Sequence, residues 1–287
     1  MYMPDSSCNI SQNQQFHPHV LAYSPQFKRA AIDSIVFDDL GQWSRSSAYS
    51  SHVSALQPMP PISLPQATFL EFGQLWQQGG AKFTKKQAMD FGKLLDTAVG
   101  DSLAVMLGDV PITVPNQNQL HPSIADTVEV GPVRIVGGVR PQNFDVGYRP
   151  DGVRIAFDSK TLNDDSSVGK NWQNMINDLA TEATTVHSRF PTAVVGFIVC
   201  IPLPCLATNA SRSSAMIGTL TRLGGRVLVD EPMHRAEALS LVLWDPATGQ
   251  IDPSLPRTSS PLRIEKFHEQ MYSAYHDRYQ GLPPHAA

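Results

Sequence analysis

The segment that most constrains the fold is residues 192–201, an almost unbroken apolar run that follows Pro191. The run has the length of one strand, and a strand that is apolar at nearly every position is typical of a sheet covered on both faces. Residues 171–188, which precede it, carry apolar side chains at intervals of three and four, as an amphipathic helix does. Residues 153–157 are a second apolar stretch, before that helix. A strand, a helix and a strand in this order predict a right-handed parallel crossover and an α/β fold.

A β-hairpin is predicted just before this unit. Residues 144–148 and 153–157 both have the composition of strands, and the four residues between them include a proline and a glycine suited to a tight turn. Asp145 then lies where one antiparallel strand starts and Asp158 where the next one ends, so the two are near neighbours. Asp158 and Lys160 are two residues apart and therefore share a face. The sequence predicts that two carboxylates and an ammonium group converge.

These three side chains suit magnesium-dependent hydrolysis of a phosphodiester. Mg²⁺ takes one or two carboxylates, here Asp145 and Asp158, and keeps water and phosphate oxygens in its other positions. Lys160 would orient the water or neutralise charge that grows on the phosphate. The alternative is that Asp158 and Lys160 form an ordinary solvated ion pair on a strand. The apolar run that leads into Asp158 favours a functional site over a solvated pair.

The remaining pattern supplies further elements. A long helix is expected at residues 83–107 and a short strand at 133–136, both before the hairpin. Upstream of the long helix we predict a short helix at 68–77. After the apolar run that ends at residue 201 we predict a loop at 202–210, a helix at 211–223, strands at 226–229 and 238–244, and a helix at 264–279. We interpret the tyrosines of the last helix as core or dimer surface rather than as residues that stack on bases.

The order of a helix, three strands, a helix and a strand resembles the core of the PD-(D/E)xK nuclease superfamily, over roughly residues 84–201. Asp145 on the second strand and Asp158-Ser159-Lys160 on the third match its motif, with Phe144 where proline is frequent and aspartate in place of the commoner glutamate. The resemblance implies that Asp145, Asp158 and Lys160 are catalytic and that Asp145 and Asp158 bind the metal.

Two other superfamily features are not matched. Many members carry a further acid on the first helix, but Asp90, Asp96 and Asp101 fall off the apolar face predicted for that helix, so none is selected. Members of the exonuclease branch often have a glutamine and a tyrosine four residues apart on the second helix. Here Gln173 is followed by Asn177, which argues against that branch.

The fold class implied by the resemblance is α/β, with a restriction-endonuclease-like core in which helices flank a central mixed sheet. An irregular N-terminal arm, residues 1–66, would precede the nuclease core, residues 67–201. A C-terminal α+β elaboration, residues 202–287, would complete the core and carry DNA recognition and dimer contacts.

Within the superfamily the chain is most similar to a type II restriction endonuclease. This implies sequence-specific cleavage of double-stranded DNA with Mg²⁺, for which Mn²⁺ can substitute. It also implies a homodimer, since two identical sites on a two-fold axis match two antiparallel strands, and a cognate DNA methyltransferase in the same system. The alternatives are a structure-specific repair or mobile-element nuclease, and a DNA-binding domain of the same fold that does not catalyse.

Four basic residues are candidate DNA contacts. Lys170 at the start of the second helix would contact a phosphate, because the sequence around it lacks the glycine and the hydroxyl residue of a nucleotide-binding loop. Arg212, Arg222 and Arg226 have the guanidinium groups that recognise guanine edges. The alternative for each is an ordinary surface residue.

Net charge and cysteine content are compatible with this interpretation. The formal charge of the chain is −4. Residues 130–226, however, hold ten Lys and Arg against seven Asp and Glu, so this part of the chain has a net positive charge. Three scattered cysteines indicate neither a disulfide framework nor a zinc site. No apolar run approaches the roughly 20 residues of a spanning helix, and residues 1–10 have neither the basic nor the apolar region typical of a signal sequence. We expect a cytoplasmic protein that does not enter a membrane.

Overall fold

The computed structural model describes residues 35–37, 43–45, 55–207 and 210–285 of the chain. Side chains are described from residue 55 onward, except those of residues 165–167, 170, 207 and 210–212. The chain divides into two units, Met1–Ser50 and Ser51–Ala287. In the first unit β1 (Ile35–Phe37) pairs with β2 (Trp43–Arg45) in antiparallel fashion. Most of the predicted arm, residues 1–66, and Cys8 lie outside the described residues.

The second unit contains the predicted core. Its elements in chain order are α1 (Gln66–Gln78), α2 (Lys85–Met106), β3 (Ile112–Thr113), β4 (Val128–Val136), β5 (Pro141–Tyr148), β6 (Ile155–Thr161), α3 (Asp165–His187), β7 (Val194–Pro202), α4 (Pro204–Ala207), α5 (Ala210–Leu223), β8 (Ala238–Trp244) and α6 (Ile264–Tyr279). The long helix α2 starts at a capping box, in which Thr84 and Gln87 satisfy each other's backbone N–H groups.

The six strands β3 to β8 form one mixed sheet in that spatial order. β4, β5 and β6 are antiparallel neighbours, whereas β6, β7 and β8 run parallel. Every residue of β7 is buried, as the apolar run predicts for the interior of a covered sheet. The parallel pair β6 and β7 is joined through α3, so the predicted crossover unit is present.

Helices cover both faces of the sheet. α2 and α6 contribute to one apolar cluster, which includes Leu95, Phe157 and Phe267. α3 and α5 contribute to a second cluster, on the other face, which includes Leu179 and Leu220. Tyr275 and Tyr279 of α6 are buried in the first cluster, which confirms their interpretation as core residues. The α/β class with helices flanking a central mixed sheet is therefore confirmed.

β4 has an irregularity next to the site described below. Between Val130 and Val133 its register with β5 shifts, so that two residues of β4 lie opposite one residue of β5, Asp145. Gly131, within this bulge, has a φ of 130°, which favours glycine because it has no Cβ. Bulges of this kind redirect side chains of the adjoining strands.

The outer edge of β4 is only partly paired. Among the described residues its neighbour on that side is β3, which pairs with it at Val128 and Glu129. Farther along β4 two arginine side chains donate hydrogen bonds to its carbonyl oxygens. Arg149 donates to the Arg134 oxygen at 3.0 Å, and Arg189 donates to the Val136 oxygen at 2.8 Å.

Two predicted elements differ from the structure. The predicted strand at residues 226–229 is wrong, and Val227 and Leu228 are 68% and 61% exposed. The reason is that the Glu231 carboxylate accepts from the N–H groups of Val227 and Leu228, while Arg226 and Arg278 donate to nearby carbonyls. The predicted loop at 202–210 is also incomplete, because it contains the short helix α4.

His187 is fully buried at the end of α3. Its Nε2 lies 3.2 Å from Glu237 Oε2, and its Nδ1 lies 2.9 Å from the Met233 oxygen. The Glu237 carboxylate also accepts from Arg226 and Arg278, so His187 belongs to a buried ionic cluster that joins α3, β8 and α6.

Candidate functional site

β6 carries the centre of the candidate site. The strand continues to Thr161, three residues past the end predicted at Asp158, so that Asp158, Ser159 and Lys160 all lie within it. Side chains alternate along a strand. Phe157 packs in the first apolar cluster, on the face covered by α2, whereas Ala156 packs in the second, on the face covered by α3. Asp158 and Lys160 therefore point toward α3, and Ser159 points toward α2.

Asp145 of β5 reaches this strand, as predicted. Its Oδ2 accepts from the Ser159 N–H at 2.9 Å and lies 3.2 Å from the Ser159 Oγ. The regular pairing of β5 with β6 ends at Val146 and Phe157, just before Asp145 and Asp158. The strands diverge there, and the Asp145 carboxylate accepts from the Ser159 N–H in place of a backbone carbonyl of β5. The Asp145 carboxylate is also close enough to Asp158 to raise the pKa of that group. The two predicted carboxylates do meet.

Lys160 lies between two carboxylates. Its Nζ donates to Asp158 Oδ2 at 2.6 Å and to Glu182 Oε1 at 2.8 Å. The Lys160 side chain is 23% exposed, whereas those of Asp158 and Glu182 are 9% and 5% exposed. This pair is therefore not the solvated ion pair of the alternative interpretation, and the lysine gives the site an opening to solvent.

Asp96 of α2 joins the site from the other face of the sheet. Its Oδ1 accepts from the Ser159 Oγ at 2.7 Å, and the residue is 8% exposed. Its assignment to a position off the buried face was wrong, because the buried face of α2 is wider than the apolar stripe and also includes Asp96, Gly100 and Ala104. α2 approaches closely at Gly100, where an added Cβ would lie 2.4 Å from Val130 Cγ2.

The concentration of acids changes their protonation. Burial and the nearby Asp145 raise the pKa of Asp96 to about 8, against a hydrogen bond from Ser159 that lowers it. Burial and Asp145 likewise raise the pKa of Asp158, although Lys160 opposes the change. For Lys160 burial lowers the pKa, but Asp158 and Glu182 outweigh it and the net pKa is raised. A neutral pH thus leaves Lys160 charged and Asp96 largely protonated.

The site has the chemistry that a hard divalent cation requires. Asp96, Asp145 and Asp158 offer only oxygen atoms, and burial together with the charge of Asp145 raises the pKa values of Asp96 and Asp158 although Lys160 opposes the change. Within the described part of the chain no group of three or more His, Cys, Asp or Glu side chains is arranged to enclose a metal ion. An arrangement that leaves positions to water suits Mg²⁺, which commonly binds through one or two carboxylates.

The four predicted DNA contacts fall in different environments. Lys170 lies in α3 and Arg212 in α5, but their side chains are outside those described. Arg222 is exposed in the last turn of α5, where it donates to Thr219 Oγ1. Arg226 is only 1% exposed and pairs with Glu237 at 2.7 Å, so its prediction as a base-reading residue is corrected to a structural role.

A cavity of about 390 Å³ lies elsewhere, beside the outer edge of β4. Arg134, Val153, Arg189 and Phe190 are among the residues that line it, and none of the site carboxylates does.

Asp96 and Glu182 are the site residues that the sequence interpretation missed, and each has a signal in the sequence. Asp96 lies four residues after Gly92 and four before Gly100, a stripe of small residues where a helix can approach a sheet. Glu182 lies seven residues after Met175 and three after Leu179, on the apolar stripe of α3. A single charge on such a stripe indicates a buried partner.

No helix of the described residues is long and apolar enough to cross a bilayer. Comparisons with protein-family models, with curated proteins and with solved structures found no match. The functional argument therefore rests on the geometry and electrostatics of the site.

Proposed function

We propose that this chain is a divalent-cation-dependent endonuclease that hydrolyses phosphodiester bonds in double-stranded DNA. The observation that carries the proposal is the meeting of Asp145, Asp158 and Lys160 where β5 and β6 diverge. The element order and the positions of these residues also agree with the resemblance to PD-(D/E)xK nucleases. Mg²⁺ is the proposed cofactor, and Mn²⁺ should replace it.

Each residue would have a distinct part in the reaction. Asp145 and Asp158 would hold the cation, which when bound supplies positive charge to the phosphate and acidifies water. Lys160 stays protonated because its pKa is raised, so it would stabilise negative charge on the phosphate and would not act as a general base. Ser159 bonds to both Asp145 and Asp96, and so keeps the two carboxylates in place.

The finer assignment is a type II restriction endonuclease that acts as a homodimer. Two observations support this assignment: the chain has one nuclease-like core, and basic residues outnumber acidic ones between positions 130 and 226. A homodimer would present two sites to the two strands, and a methyltransferase would protect the host DNA. Arg222, exposed at the end of α5, remains a candidate contact with DNA.

The test is cleavage of supercoiled plasmid and of a linear phage genome by purified protein. We expect discrete fragments with Mg²⁺ or Mn²⁺, slow cutting or none with Ca²⁺, and none with EDTA. Cutting of branched duplexes without discrete fragments from linear DNA would identify a structure-specific nuclease. Absence of cutting on every substrate and with every cation would indicate a domain that does not catalyse.

Two variants connect the activity to the site. Asp158→Ala and Lys160→Ala should each lower the cleavage rate at least about 100-fold, since the first removes a carboxylate that would hold the cation and the second removes positive charge that would stabilise the transition state. Folding and most DNA binding should persist. Lys93→Ala is the matched control, because Lys93 is 69% exposed on α2. Full activity in either site variant would contradict the proposal.

A further inference from the structure

Glu182 has a position that its ion pair alone does not explain. The residue lies on the buried face of α3, among Leu179, Ala183 and Val186, and is 4% exposed. Removing a carboxylate from water is unfavourable unless both of its oxygens find partners. A helix that only had to pack on the sheet would carry an apolar residue at this place.

The two oxygens of Glu182 differ in their surroundings. Oε1 accepts from Lys160 Nζ at 2.8 Å, whereas Oε2 is buried and has no hydrogen-bond partner. A buried charged oxygen without a partner costs more than a neutral one, because it has given up its strong hydration. The unpaired oxygen therefore indicates a ligand group that binds at this point.

Charge at the site indicates the kind of ligand. Lys160 is a single positive group, and it is shared between Asp158 and Glu182 while Asp145 lies next to Asp158. Three carboxylates against one ammonium leave a local negative surplus, which favours a cation or the polar hydrogens of its hydration water. An anionic ligand such as a phosphate would be repelled until a cation has bound.

We propose that Glu182 is a positioning residue of the cation site. Its Oε1 fixes the ammonium of Lys160, and its Oε2 accepts a hydrogen bond from the hydration water of the cation held by Asp145 and Asp158. Glu182 thereby links the lysine to the cation, so that both face the same phosphate. The inference rests on the proposed nuclease function, because it needs that cation.

A merely structural ion pair makes a different prediction. A structural ion pair would account for the contact of Oε1 with Lys160, but it would not explain why Oε2 is buried without a hydrogen-bond partner. Removal of the charge on Glu182 would then weaken the folded state whether or not a cation is present. The two possibilities can be separated without measuring cleavage.

The first measurement is Mn²⁺ binding to the DNA-free protein, by electron paramagnetic resonance titration. Glu182→Gln keeps the size of the side chain and a carbonyl oxygen for Lys160, but it removes the charge. We expect Mn²⁺ to bind about 10-fold to 100-fold more weakly, as when groups that hold a metal's ligands are removed. Asp178→Asn, four residues earlier and exposed on α3, should bind Mn²⁺ like the wild type.

The second measurement is thermal unfolding with and without Mn²⁺. For Glu182→Gln we expect an unfolding temperature that is unchanged or raised without the cation, and a smaller increase on its addition. A lowered temperature without the cation, together with an unchanged increase, would show that Glu182 is only structural and would overturn the inference.

Asp158→Asn separates this inference from the proposed function. Mn²⁺ binding that is lost in Asp158→Asn but fully retained in Glu182→Gln overturns the role of Glu182 alone. Absence of Mn²⁺ binding in the wild type itself overturns both proposals.

Discussion

Asp96→Asn should stabilise the cation-free protein, and the gain should grow with pH. Burial and Asp145 raise the pKa of Asp96 from 3.8 to about 8. Between those values the folded state holds a proton that the unfolded state has released, so the free energy of unfolding falls as the pH rises. Asparagine does not titrate, and the variant lacks this loss.

The size of the effect follows from the two pKa values. Each pH unit between them lowers the stability of the wild type by about 1.4 kcal/mol for one retained proton. Between pH 5 and pH 7.5 the wild type should therefore lose roughly 3 kcal/mol more than the variant does. This is an upper limit, because the pKa of Asp96 depends on the charge of the neighbouring Asp145.

Urea unfolding at several pH values, with EDTA present, measures the difference. Asp101→Asn is the matched control, because Asp101 lies on the same helix and is exposed. Addition of Mg²⁺ should reduce the pH dependence of the wild type, since a cation would replace the proton. A stability difference between wild type and Asp96→Asn that stays constant from pH 5 to pH 7.5 would refute the reasoning.

Three further results are expected. Arg226→Ala should lower the free energy of unfolding by about 3–5 kcal/mol, because Glu237 loses a buried partner, and the loss should be visible in urea unfolding. Arg222→Ala should change stability by less than about 0.5 kcal/mol but weaken DNA binding at moderate salt, and wild-type binding would remove Arg222 as a contact. Sedimentation with cognate DNA should give a dimer, and a monomer bound to that DNA would exclude the symmetric arrangement.

The sequence predicted the parts of the fold that depend on regular periodicity. β7 could be predicted because all its residues are apolar, and α6 because Phe267, Met271 and Tyr275 recur on one face. Asp145 and Asp158 were found together because a hairpin is local, and its register follows from the turn between its strands.

Contacts between distant segments were harder to predict. Ser159 and Asp96 are 63 positions apart, and their contact depends on how closely α2 approaches the sheet, which no local pattern specifies. Residues 226–229 have strand composition, but buried arginine side chains and Glu231 take up their backbone groups. Side-chain hydrogen bonds of this kind override β-propensity, which is itself dependent on context.

The arginines at the outer edge of β4 also limit how two copies of this chain can associate. An unpaired strand edge is a template on which another strand can add, in a partner or in an aggregate. Arg149 and Arg189 already donate to the carbonyl oxygens of Arg134 and Val136, so an incoming strand would have to displace two guanidinium groups. A continuous intermolecular sheet across this part of β4 is therefore disfavoured.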